Sequence, residues 1–67
     1  MTYSLFTHDA WGVVRVGDFA SLEEARIAFA AIVQDPWYRR DGTVRGVELV
    51  LGSDAGSGQR LDWFPFL

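Results

Sequence analysis

The sequence predicts a small α+β domain with the order β-β-α-β-β, in which one helix packs on one face of a four-stranded, mainly antiparallel sheet. Three observations lead to this fold class. Only residues 21–34, SLEEARIAFAAIVQ, repeat their apolar side chains at clear helical spacing. Short runs rich in valine and aromatic residues lie on both sides of this segment. Turn signals separate the runs within each pair, which favours two antiparallel hairpins and a two-layer domain.

The first hairpin is predicted from residues 3–7 (YSLFT) and 11–19 (WGVVRVGDF), with residues 8–10 (HDA) as the turn between them. The connection is short, so the two strands are expected to pair in antiparallel fashion. Strict alternation divides the large side chains of the second strand between two faces. One face carries Val14 and Val16, and the other carries Val13, Arg15 and Phe19.

The helix has a start and a stop signal. Ser21 is a good N-cap residue, because its hydroxyl accepts a hydrogen bond from a backbone N–H that has no partner within the helix. Glu24 completes an S-x-x-E capping box. Pro36 disfavours helical backbone at Asp35, so the helix is expected to end near Gln34. The stripe that must be buried consists of Leu22, Ala25, Phe29, Ile32 and Val33.

Ile27 lies outside that stripe, and two interpretations remain open. It is either a single exposed aliphatic residue, which is common on protein surfaces, or part of a shallow apolar strip with Ala28 and Ala31 that packs on a partner helix. The first interpretation is favoured, because one isoleucine is far smaller than an interface-sized patch.

The second hairpin comes after residues 35–43 (DPWYRRDGT), which contain the turn signals Asp-Pro and Asp-Gly and are predicted as a loop or a short edge strand. The third strand, residues 44–51, places its larger apolar side chains on one face. Residues 52–59 are glycine-rich but lack the G-K-[ST] ending of a phosphate-binding loop, so they are expected to be a long hairpin connection. The fourth strand is residues 60–67. Pro65 cannot donate to a ladder, which puts that end of the strand at an edge or past the last pairing.

One helix can cover only one face of a four-stranded sheet, yet both faces of the second and fourth strands carry large apolar side chains. In the fourth strand, alternation puts Leu61, Trp63 and Leu67 on one face and Phe64 and Phe66 on the other. Something besides the helix is therefore expected to cover the second face: a second protomer, another protein, a ligand or residues 35–43. The alternative is that sheet twist and the terminal residues hide most of it.

Chain length and composition limit the means of stabilisation. At 67 residues the chain is expected to form one domain with a small core. It has no cysteine and one histidine, which argues against disulfides, thiolate zinc sites and His-rich metal sites. Small domains without such devices often associate, and 49% hydrophobic content is consistent with a homodimer.

Charge argues against two classes of partner. The net charge of −3 and a pI near 4.7 disfavour general binding to nucleic acids or anionic membranes, because phosphate contacts need a positive field. The first residues lack the basic start and continuous apolar core of a signal peptide, and no run reaches the ~18 apolar residues of a membrane-spanning helix. A cytoplasmic location is expected.

The best surface candidate is the segment Trp37-Tyr38-Arg39-Arg40, because Trp, Tyr and Arg are enriched at binding hot spots. The alternative is that the two aromatic residues cap the core below the helix while the arginines are either solvated or satisfy its last carbonyls. Trp63 and Phe64, together with Trp37, are candidates for stacking on a base or an aromatic ligand.

No catalytic set is recognisable. His8 and Asp9 are adjacent, and adjacent side chains in a strand or turn point apart. The acidic residues are scattered and form no calcium-loop pattern, so no metal or cofactor is expected. The sequence therefore favours a non-enzymatic protein–protein interaction or regulatory module that forms a homodimer and binds a protein partner. The alternative is a binder of small ligands or single-stranded nucleic acid that uses its surface aromatic residues and arginines.

Overall fold

The computed structural model describes residues 1–53 and 58–66 and contains four strands and two helices in these ranges. They are β1 (Tyr3–Asp9), β2 (Gly12–Phe19), α1 (Leu22–Gln34), α2 (Pro36–Asp41), β3 (Val44–Leu51) and β4 (Gln59–Pro65). Each adjacent strand pair is antiparallel, and the strand order is β2-β1-β3-β4. The predicted β-β-α-β-β order and the four-stranded antiparallel sheet with a helix against it are confirmed, with α2 as an addition.

The core lies between α1 and the two central strands. Its fully packed residues are Leu5, Ala25, Phe29, Ile32, Val47 and Leu49. All five residues of the predicted helical stripe contribute, because Leu22 and Val33 also pack against this cluster. Ile27 is exposed on the far side of α1. The face of the sheet that α1 does not cover is called the open face.

The predicted N-cap of α1 is confirmed. The hydroxyl of Ser21 accepts a hydrogen bond from the backbone N–H of Glu24 at 3.2 Å, and Ser21 itself has extended backbone angles. At the other end Asp35 is extended as well, with φ −75° and ψ 117°, as expected for a residue before proline.

Replacing Ser21 with alanine is expected to lower the free energy of unfolding by about 1 kcal/mol, because one N–H at the start of α1 loses its acceptor. Urea unfolding followed by far-UV circular dichroism measures this loss. Ser21→Asp is the matched control, since a carboxylate can accept the same hydrogen bond. Equal losses in the two variants would contradict the capping role.

The first turn differs from the prediction. Residues 8–10 are not the turn, because His8 and Asp9 continue β1 and pair with β2. The carboxylate of Asp9 accepts hydrogen bonds from the backbone N–H groups of Trp11 and Gly12 at 2.8 and 2.9 Å. Gly12 has φ 143°, which favours glycine. The turn therefore consists of Ala10 and Trp11 and is closed by the Asp9 side chain. β1 extends to Asp9 and is longer than predicted.

The prediction that side chains alternate strictly between the two faces along β2 is wrong, because the strand contains a bulge. Phe6 pairs with Arg15 and Leu5 pairs with Gly17, so Val16 is an extra residue. An extra residue reverses the faces of all later side chains in the strand. Phe19 consequently packs against the core below α1 and does not share a face with Arg15, whose guanidinium lies over the ring of Phe6.

Residues 35–43 are neither a loop nor an edge strand, since they contain the short helix α2. The carboxylate of Asp35 accepts a hydrogen bond from the N–H of Trp37 at 3.0 Å, which caps the helix start. Pro36 occupies the first turn, where its missing N–H costs nothing. Gly42 ends the helix in the left-handed conformation with φ 77°. The two turn signals in this segment therefore act as helix caps.

A second irregularity corrects the predicted faces of β4. Leu49 pairs with Asp62 and Val50 pairs with Arg60, so Leu61 is an extra residue. Leu61 packs against the core together with Phe64 and Phe66, whereas Trp63 lies opposite Glu48 on the open face. The predicted pairing of Leu61 with Trp63 on one face is wrong. Leu67 and residues 54–57 of the predicted glycine-rich connection lie outside the described residues.

Candidate functional site

The middle of the open face is closed by the protein's own side chains. Phe6 and Val50 are buried although no helix covers them. The guanidinium of Arg15 lies 5.6 Å from the centre of the Phe6 ring, and that of Arg60 lies 4.8 Å from the centre of the Trp63 ring. Long polar side chains thus lie flat on this face and shield its apolar centre.

A cluster around Glu48 organises one half of this face. The side chain of Glu48 is 3% exposed, and each of its carboxylate oxygens has a partner. Nε2 of His8 lies 2.9 Å from Oε1, and Nε of Arg60 donates to Oε2 at 2.7 Å. The ring of Trp63 meets the His8 ring edge-on, with 5.1 Å between the ring centres. These four residues are called the Glu48 cluster.

Trp63 can lie close to β3 because Gly46 has no side chain. A Cβ atom built on Gly46 would collide with the indole ring and would lie 2.8 Å from the carbonyl oxygen of Phe64. The glycine therefore makes room for the indole that completes the Glu48 cluster.

The protonation of Glu48 is determined by its partners. Burial by itself raises the pKa of this carboxyl group. The hydrogen bonds from His8 and Arg60 and their charges favour the carboxylate, and together they hold the pKa of Glu48 below its ordinary value of 4.5. At neutral pH the residue is a buried anion with both oxygens satisfied.

A second polar group lies at the β2 side of the open face. The Ser4 hydroxyl is buried and lies 2.7 Å from both a carboxylate oxygen of Asp18 and the carbonyl oxygen of Gly52. Asp18 also accepts a hydrogen bond from Arg15 at 2.8 Å, and Arg15 donates further to the carbonyl oxygen of Ser53. Arg15 therefore fastens the edge of the sheet to the residues after β3.

The sequence-predicted binding residues fall on two sides of the molecule. Trp37 is 55% exposed on α2 and meets Tyr38 edge-on, and Tyr38 stacks on Phe66 with 5.7 Å between ring centres. Arg39 donates to the carbonyl oxygen of Val33 at 3.3 Å. This contact and the packing of Tyr38 against the core agree with the alternative at Arg39 and Tyr38, whereas Trp37 does not pack against the core.

All but one of the predicted binding residues lie on α2 or beside it. The guanidinium of Arg39 is 6.0 Å from the centre of the Phe64 ring, so Phe64 lies beside α2. Arg40, also on α2, is exposed. Trp63 lies on the open face with Arg60, on the other side of the sheet. Arg39 and Arg60 therefore do not converge on one surface. Binding by these predicted residues stays a prediction.

Sequence reasoning missed the exposed edge of the sheet at β2. Within the part of the chain that the structure describes, β2 pairs with β1 alone. Its valines are unusually exposed: Val13 is 49%, Val14 53% and Val16 43% accessible, and Trp11 in the preceding turn is 81% accessible. The three valines were visible in the sequence, but their exposure depends on the strand order.

Comparison of the chain with protein-family models, with curated protein sequences and with solved structures finds no match. Within residues 1–53 and 58–66, no three histidine, aspartate or glutamate residues are arranged to hold a metal ion. No helix in these ranges has the length and apolar character to cross a membrane. Function is therefore inferred from the chain's own exposed and buried residues.

Proposed function

We propose that this chain is a small, non-enzymatic protein-interaction module that binds an extended segment of a protein by strand addition at the outer edge of β2. The observation that carries this proposal is the combination of an edge position with three exposed valines in one strand. Among the described strand residues, every exposed large apolar side chain belongs to β2.

Strand addition suits the chemistry of this edge. An edge strand presents a row of backbone N–H and C=O groups on its outer side, and an extended peptide satisfies them by pairing. Val13 and Val14 point to opposite faces of the sheet, so an added strand would meet an apolar side chain on each face. Backbone pairing then supplies affinity, and the valines select apolar side chains.

The opposite edge of the sheet is much less suited to pairing. β4 carries Arg60 and Asp62, which are held in ion pairs with Glu48 and Arg26, and it ends at Pro65. Charged residues and proline are the usual means of preventing edge-to-edge association. β2 also carries an arginine and an aspartate, but it contains no proline and exposes three valines, and this contrast favours β2 as the binding edge.

The buried polar groups support a non-enzymatic role. A general base works best with a pKa near the operating pH and within reach of substrate. Glu48 has a depressed pKa, is almost fully buried and has both oxygens occupied. Ser4 is fully buried and bonded to Asp18, so its hydroxyl is not placed to attack a substrate.

Strand addition is tested with labelled peptides. The probes are fluorescein-labelled peptides of alternating threonine and valine with lysine or glutamate at the ends, and the same peptides with every backbone nitrogen of the central residues methylated, so that neither edge can donate to β2. Val14→Lys is expected to weaken binding by about tenfold or more, equivalent to about 1.4 kcal/mol, because it puts a charge in the apolar contact. Fluorescence anisotropy measures the dissociation constants.

Ile27→Lys is the matched control, because Ile27 is also an exposed aliphatic residue but lies on α1, away from the sheet edge. Ile27→Lys is expected to bind the unmethylated peptides as tightly as the wild-type protein does. The methylated peptides are expected to bind neither the wild-type protein nor Ile27→Lys. Equal weakening by both lysine substitutions, or unchanged binding of the methylated peptides, would contradict pairing at β2.

A further inference from the structure

The edge of β2 is electrically neutral although the chain is acidic. Within Gly12–Phe19 the charged residues are Arg15 and Asp18, and they form an ion pair at 2.8 Å. The net charge of −3 is therefore carried by the rest of the chain. A strongly charged partner finds no complementary field at this edge, whereas a neutral, valine-rich strand meets no repulsion there.

β2 is itself such a strand, and the antiparallel register centred on Val14 is self-complementary. A two-fold axis at Val14 places this valine opposite the partner's Val14 and places Val13 opposite the partner's Arg15. An axis at Arg15 would place two arginines directly opposite each other, which is destabilising. The bulge at Val16 ends the regular part of the strand, and the Val14 register uses only Gly12–Val16 of each copy.

We propose that the strand added to β2 is β2 of a second copy of this chain, so that two sheets join edge to edge into one antiparallel eight-stranded sheet. This inference rests on the proposed function and names its partner. Directly opposite residues on neighbouring strands point to the same face, so the two α1 helices lie on the same side of the joined sheet. The two Trp11 side chains lie at the ends of the paired segment, where they extend the contact.

The expected affinity is moderate. A standard interface takes about 800 Å² from each partner, which is roughly a fifth of this chain's 4134 Å² surface. Five paired residues span only about 16 Å, so the strand contact and Trp11 provide less than that area. Dissociation in the micromolar range is expected, which corresponds to about −8 kcal/mol or weaker.

Sedimentation velocity over a dilution series from about 1 to 300 μM, spanning the micromolar range of dissociation constants, tests self-association. The wild-type protein and Ile27→Lys are expected to shift from monomer to dimer over the same concentrations. Val14→Lys is expected to raise the dissociation constant by about tenfold or more, because two lysines would face each other at the axis. A thermal melt of each variant establishes that it is folded. A dimer that persists unchanged in Val14→Lys would overturn the proposal.

The register is tested by cross-linking, since the natural chain contains no cysteine. Opposite residues in an antiparallel pair have Cα atoms about 4.5–5.5 Å apart, which suits a disulfide. Val14→Cys is expected to form a cross-linked dimer under mild oxidation much faster than Val13→Cys or Ile27→Cys. Equal rates in the three variants would overturn the Val14 register.

The outcomes also separate this inference from the proposed function. If the wild-type protein stays monomeric at the highest concentration while the threonine–valine peptides bind at β2, a second copy is not the partner and strand addition stands. If the protein neither dimerises nor binds the peptides, both proposals fail.

Discussion

Replacing Gly46 with alanine is expected to destabilise the protein by about 2–3 kcal/mol, toward the upper end of the usual cost of overpacking. The added Cβ collides with the indole of Trp63 and lies 2.8 Å from the backbone carbonyl oxygen of Phe64. The indole cannot move away freely, because His8 and Arg60 contact it. The carbonyl belongs to the ladder of β4, so its movement disturbs strand pairing.

That loss is large for a chain of this size. Domains have roughly 0.05–0.15 kcal/mol of stability per residue, which gives roughly 3–10 kcal/mol for 67 residues. Urea unfolding followed by circular dichroism measures the change. Gly17→Ala is the matched control, because it also adds a methyl group to a strand glycine but reaches only the Phe19 ring at an ordinary 3.6 Å. Similar losses at the two positions would show that the indole contact is not the cause.

Replacing Arg60 with methionine is expected to cost about 2 kcal/mol at neutral pH. The substitution keeps an apolar stem over Trp63 but leaves one oxygen of the buried Glu48 carboxylate without its charged partner. Removing one partner of a fully buried ion pair costs about 3–5 kcal/mol. The expected cost of about 2 kcal/mol is below this range. Arg60 is half exposed, so water can reach the Glu48 oxygen after the guanidinium is removed. Arg45→Met, which changes an exposed arginine of β3, is the control and is expected to have little effect.

The pH dependence identifies the carboxylate as the cause. The folded-state pKa of Glu48 lies below its ordinary value of 4.5. Its stabilising contribution is therefore complete above pH 4.5 and is lost as the pH falls through the folded-state pKa. Arg60→Met removes a group that lowers this pKa, so the difference from wild type is expected to shrink in acid. Unfolding measured at pH 7 and at about pH 3.5 tests this. A difference that is constant with pH would mean that lost packing, and not the unpaired charge, explains the destabilisation.

The elements that could be predicted from the sequence are those whose signals are local. Ser21 and Pro36 set the ends of α1 through capping and through steric exclusion, and both effects depend on a few neighbouring residues. The helix α2 shows the limit of such signals. Aspartate and glycine, which stand at positions 35 and 42, are favoured both in turns and at helix ends. A helix of six residues is too short for periodicity to distinguish the two.

The candidate sites could be predicted only in part, because they depend on register and strand order. One extra residue at Val16 and another at Leu61 reverse the faces of the later residues in β2 and β4. Trp63 and Phe64 are adjacent in sequence and lie on opposite faces, and neither position can be assigned without knowledge of the bulge. The exposure of β2 depends on pairing between β1 and β3, which lies beyond any local pattern.

That central pairing also sets how the chain must fold. Tyr3 pairs with Leu51, so the two strands that carry most of the buried residues, β1 and β3, are far apart in the sequence. Their contact encloses β2 and both helices within one long loop, and the entropy of closing that loop must be lost before the core forms. Neither hairpin buries the core alone, and an isolated two-stranded hairpin is marginally stable at best. Folding is therefore expected to depend on the contact between β1 and β3, which is distant in sequence, despite the small size of the protein.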